Sequence, residues 1–145
     1  MKIRRSIAAA VGVALIGTGA FVLPAFASAS AATHTLKFIS VEKASVTLSK
    51  TMFAQQDTDV TSKGKVIGYD ELYFAATSSS GANAWFTLDV DGGFISGTFK
   101  VNFKTGAITN GKVTGGARAF KGATGTLTAK AVSATRTAVT ITYAT

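Results

Sequence analysis

The sequence predicts an all-β fold, a sandwich or closed barrel of roughly eight antiparallel strands behind a cleavable leader. Three observations predict it. From Thr35 onward, apolar and polar residues alternate at the period of a strand, with β-branched and aromatic types crowding the runs. Between the runs lie short stretches such as Asp91-Gly92-Gly93 and Lys104-Thr105-Gly106, whose glycines turn a chain tightly. The one proline, Pro24, lies upstream of every run, so no ladder loses an N–H donor to proline.

The first residues read as an export signal. Lys2, Arg4 and Arg5 form a basic start, and an apolar run from Ile7 to Leu23 follows. Ala25-Phe26-Ala27 and Ala29-Ser30-Ala31 both fit a small-residue cleavage site. The run approaches the ~20 residues of a spanning helix, but its glycines and small-residue finish favour cleavage. The expected organisation is therefore a signal peptide over 1–31, cut after Ala27 or as late as Ala31, and one β domain over 32–145. The residues flanking Arg4-Arg5 fit the twin-arginine route poorly, so a secreted, extracellular protein exported by the general route is expected.

The strands follow in order. Thr35 to Val41 alternates Leu36 and Phe38 against Lys37, Ile39 and Val41, and Ser45 to Met52 is a second β-branched run. Gln55 to Gly64, polar and carrying Asp57, Asp59 and Ser62, reads as a loop. Lys65 to Ala76 is a long strand with two partly apolar faces. One face holds Val66, Gly68, Asp70, Leu72 and Phe74; the other holds Ile67, Tyr69, Glu71, Tyr73 and Ala75. Either choice of inner face sets one carboxylate among apolar neighbours.

After a loop over Thr77 to Ala82, Asn83 to Val90 sets Phe86, Leu88 and Val90 opposite Trp85, Thr87 and Asp89. Asp91-Gly92-Gly93 turns the chain, and Phe94 to Phe103 returns with Ile95, Gly97, Phe99, Val101 and Phe103 on one side. Ala107 to Thr114 is a strand that Gly111 is expected to bulge. The Gly-rich stretch from Gly111 to Gly125, carrying Phe120, leads into Ala123 to Val132, and Thr135 to Tyr143 closes the chain.

Closure into a barrel is favoured over a sandwich. The chain has no cysteine to staple it and no covering helix, and a closed sheet removes the edges that would otherwise pair with other chains. A barrel of about eight strands is filled by side chains or holds one small ligand. The formal charge of +8 falls to about +5 once Lys2, Arg4 and Arg5 leave with the leader. The remaining cations are scattered singly, which argues against nucleic acid and for at most a diffuse association with anionic envelope polymers.

The run Lys65-Val66-Ile67-Gly68, the hairpin from Trp85 to Ile95 and the run from Val113 to Gly125 resemble the allene oxide cyclase and dirigent superfamily. Its members share a valine-rich strand, a Gly-Gly-Thr/Ser-Gly turn, an aromatic, a further glycine and the next strand. The resemblance spans Lys65 to Tyr143, and the leader looks like that of exported actinobacterial members. It implies an eight-stranded antiparallel, calycin-like barrel that forms dimers or trimers. It implies a lumen for a hydrophobic or phenolic molecule, held in one shape for isomerisation or cyclisation, and no cofactor. Two departures stand out: Ala117-Arg118 replaces the family's second half of the turn, and the cyclases' lumen cysteine is missing. Allene oxide cyclase activity itself is therefore not expected, and no family catalytic residue is carried over.

On this reading Tyr69, Tyr73, Phe86, Phe99 and Tyr143 line the lumen and bind the ligand. Glu71, between Tyr69 and Tyr73 at strand period, is the candidate acid, since an apolar lumen would raise its pKa toward neutrality. The opposite phase, with Leu72 and Phe74 inside and Glu71 in solvent, stays open. Other site chemistries fare worse. Asp57-Thr58-Asp59 and Asp89-Val90-Asp91-Gly92 lack the spaced oxygens of a calcium loop, so no metal is expected. His34, the single histidine, sits near the mature terminus, a poor place for the base of a triad. The glycine cluster lacks the Gly-Lys-Ser/Thr ending of a phosphate loop and precedes a strand. The alternative is a non-catalytic extracellular or envelope protein that uses the barrel as a structural or interaction module.

Overall fold

The computed structural model describes residues 31–145; the expected leader, but for its last residue, lies outside the described residues. Eight strands follow one another: β1 (Thr33–Thr47), β2 (Met52–Val60), β3 (Val66–Ser78), β4 (Gly81–Val90), β5 (Gly93–Asn102), β6 (Ala107–Arg118), β7 (Thr124–Ser133) and β8 (Arg136–Ala144). Each pairs antiparallel with the next, and β8 returns to β1, closing the barrel. β1 makes closure possible because it is long enough to serve two partners. Its first part pairs with β8 from Thr33 to Val41, and its later part pairs with β2 from Ile39 to Thr47. That stagger is the tilt a closed sheet requires.

Alternation along each strand sorts the side chains. Phe38, Phe74, Phe86, Leu88, Ile95, Phe99, Leu127, Val139 and Ile141 point inward and are buried. Small residues make room where the wall is tight. Gly97 is buried on the inner face of β5, and a Cβ there would strike the Lys112 carbonyl and the Phe86 ring.

The two barrel ends differ. At one end lie the β2–β3, β4–β5 and β6–β7 turns. There Phe120 is buried and meets Tyr143 edge-on, with ring centroids 5.6 Å apart. The β4–β5 turn needs its glycines, since Gly92 and Gly93 take φ of 93° and 144°. At the other end, the β5–β6 and β7–β8 turns leave the interior open.

Three sequence expectations are corrected. The run from Ser45 belongs largely to β1, because the chain bulges between Glu42 and Ala44 and turns only after Thr47. There Leu48 and Ser49 both donate their N–H to the Met52 carbonyl, at 2.9 and 3.0 Å. The polar stretch from Gln55 is mostly strand: β2 runs to Val60, and only the residues after it form a turn. Gly115 and Gly116 are likewise strand residues. Gly116 pairs with Ile95, and a Cβ on it would crowd the carbonyls of Phe120 and Phe94. The turn itself spans Ala119 to Ala123, entered through Arg118 at φ 57°. The expected bulge near Gly111 is present: the β5–β6 register shifts between Thr98 and Lys100, opposite Asn110 and Gly111.

Candidate functional site

The barrel encloses a cavity of about 370 Å³ that opens at the end opposite Phe120. Its walls are chemically unlike. Around β4 to β8 it is apolar, with Phe86, Phe99, Ile108, Leu127, Val139 and Ile141 facing inward. Near the mouth the aromatic rings touch one another. Phe53 stacks on Phe74 at 4.4 Å, and Phe74 meets Phe99 edge-on at 6.0 Å. Rings so arranged offer flat apolar surface and favour a flat apolar guest.

The carboxylates of the lining all come from β1, β2 and β3, where they share the wall with Phe38, Phe53, Leu72 and Phe74. Strand alternation explains it: Ser40 and Glu42 share a face of β1, Gln55, Asp57 and Asp59 share a face of β2, and Asp70 sits opposite Asp57 on β3. Asp57 is 3% exposed and is held on both oxygens. Ser40 Oγ donates to its Oδ2 at 2.5 Å, and Gln55 Nε2 donates to Oδ1 and Oδ2 at 2.8 and 3.0 Å.

The other two acids are less well served. Asp70 lines the cavity at 6% exposure, and its Oδ1 has no hydrogen-bond partner. Asp59 lies deeper, fully buried, with neither carboxyl oxygen bonded. Burial pushes the Asp70 carboxyl up to about 8, helped by the negative charges of Asp59 and Asp57, while the nearby Ser40 hydroxyl opposes the rise slightly. Burial likewise raises Asp59 to about 7, with Asp57 adding to it. Among the described residues, no lysine, arginine or histidine lines the cavity to neutralise these groups. Among the described residues, no three metal-ligating side chains are arranged to hold an ion. The arrangement offers a proton donor, Asp70, beside a fixed carboxylate acceptor, Asp57.

Only part of the expected lining faces the cavity. Phe86 and Phe99 line it. Tyr143 is buried below it, between Phe120 and His34, whose ring stacks at 5.3 Å. Tyr69, Tyr73 and Glu71 lie on the outside of β3, with the two tyrosines 55% and 43% exposed. Neighbouring strands set this phase: Phe74 stacks on Phe53 from β2, and a Cβ at Gly68 would strike the Asp89 carbonyl on β4. The inward carboxylate of β3 is Asp70 rather than Glu71. Ser40, Gln55, Asp57 and Asp59 were not foreseen as site residues, although the Gln-x-Asp-x-Asp spacing is that of one strand face.

No family model and no curated protein matches the chain. Among solved structures it is similar to a protein described as pyocyanin demethylase, with a TM-score of 0.62 and 18% identity. The match covers 76% of this chain and 99% of that one. The likeness is one of fold. It joins the chain to small closed β-barrels, and the narrower resemblance to allene oxide cyclases and dirigent proteins is not decided by it.

Proposed function

We propose that the barrel binds a small, flat, largely apolar molecule in its lumen and steers an isomerisation or ring closure by moving a proton. The observation that carries this reading is the open cavity of about 370 Å³ with aromatic rings toward its mouth and Asp57 and Asp70 deeper in. Such volumes suit compact ligands, and a few converging polar groups in an apolar pocket orient them. The resemblance to allene oxide cyclases and dirigent proteins points the same way, as does the enzyme name of the structural neighbour.

The chemistry balances within the pair. A protonated Asp70 gives its proton to one atom of the guest, the Asp57 carboxylate takes a proton from another, and a double bond shifts between them. A donor near pH 8 and an acceptor held by Ser40 and Gln55 are suited to that exchange. The barrel adds orientation by holding a reactive guest in one shape.

Deuterium uptake by 2-tetralone, an enolisable flat ketone, tests the proposal in heavy water by NMR. Saturation transfer reports binding separately. The expected result is uptake faster than buffer alone, falling to the buffer rate in Asp57→Asn and Asp70→Asn while binding persists. Uptake at the buffer rate with bound ketone would remove the catalytic half of the proposal.

Export belongs to the same reading, supported by the leader pattern of the sequence, as does assembly into dimers or trimers. For assembly the support is the exposed row of Tyr69, Tyr73, Trp85 and Phe94 on β3 to β5. The mass of the mature subunit and of its assembly decides both.

A further inference from the structure

Resting on the lumen as a binding site, we infer that it also takes a second class of ligand, a flat aromatic cation that sets its N–H against Asp70 and Asp57 and, by ionising Asp70, blocks the proton transfer proposed for a neutral guest. The geometry carries this. Asp70 is nine-tenths buried, lines the cavity and leaves Oδ1 without a donor. A buried carboxyl oxygen without a partner is costly, and a donor carried by a guest would satisfy it.

Every titratable neighbour has the same sign. β1 brings Glu42 to the cavity, and β2 brings Asp57, with Asp59 behind it. β4 faces Asp70 with apolar Phe86 and Leu88, and β5 to β8 contribute no titratable lining residue. An anionic guest would meet acidic side chains with no cation beside them. A neutral guest brings no charge to offset the neighbouring carboxylates. A cation satisfies Oδ1 and reverses the repulsion among the carboxylates. The aromatic rings nearer the mouth suit its flat, delocalised body.

A proton signature follows. Burial and the neighbouring charges hold Asp70 largely protonated at pH 7. A bound cation favours the carboxylate, so the site sheds about one proton per cation at that pH. Above about pH 9 the acid is already ionised and the release vanishes.

Calorimetry with three similar tricyclic probes tests this: 9-aminoacridinium, uncharged 9-anthracenemethanol and anthracene-9-carboxylate. Buffers of different ionisation enthalpy count the protons. The cation is expected to bind at least about tenfold tighter than the alcohol, the worth of one charge-assisted hydrogen bond. It should release about one proton at pH 7, and the carboxylate should bind weakest. Asp70→Asn should erase the tenfold preference and the proton release, and a circular dichroism spectrum like the wild type's certifies that the variant is folded. Equal affinity for cation and alcohol, or a preference for the carboxylate, overturns the inference and leaves the lumen reading standing. Binding of none of the three sinks both.

Discussion

Asp59 and Asp70 are the residues at which this barrel departs most from the rule that inward means apolar. Both have folded pKa values raised from 3.8, to about 7 and about 8. Below pH 3.8 folded and unfolded chains both hold these protons, and the two acids cost nothing extra. As pH climbs toward 8 the unfolded chain has released them and the folded chain has not. The folded state then binds more protons, and stability falls with rising pH across that window. Asp70→Asn, which cannot ionise, should therefore melt close to the wild type near pH 4 and increasingly above it toward pH 8. At pH 8 the gap should reach roughly 5 °C or more for a domain of this size. Thermal melts at both pH values check this, and a gap that is flat or shrinks with pH would contradict it. Asp59→Asn should behave in the same way over a window that closes nearer pH 7.

At the level of strands, β6 and β7 form the weakest seam. Paired positions there are Lys112 with Thr126 and Val113 with Gly125, whereas β4 and β5 pair continuously from Gly81–Asn102 to Val90–Gly93. Bulges cause the difference, because β6 shifts register twice against β5 and so cannot run flush with β7. Amides of β7 should exchange with solvent faster than those of β4, and equal protection would argue against a weak seam. The same contrast explains what was legible in the sequence. β4 and β5 could be read directly, since Asp91-Gly92-Gly93 marks their turn and Phe86, Leu88, Ile95 and Phe99 keep one face apolar. β2 was hidden because its inward face is Gln55, Asp57 and Asp59, polar residues that in an isolated sequence signal solvent. β3 offered two plausible faces, and only Phe53 and β4, contacts remote in sequence, select the one with Asp70.

The barrel joins a sealed end to a polar wall and an open mouth. Phe120 and Tyr143 close the end toward which the acids lie, so a guest can enter only from the β7–β8 side and must pass the aromatic rings to reach Asp70. Fold closure and the apolar part of the lining were foreseeable from alternation and glycine placement. The charge asymmetry of the lumen was not, because it needs three separate strands brought together. The most direct test of the account is native mass spectrometry. The protein would be purified from the cells that make it or from their medium and, separately, after incubation with 9-aminoacridine. The account predicts one small molecule per barrel in either sample, absent when Ala129→Trp fills the lumen of an otherwise β-rich variant. Bare wild-type barrels under both conditions would contradict it.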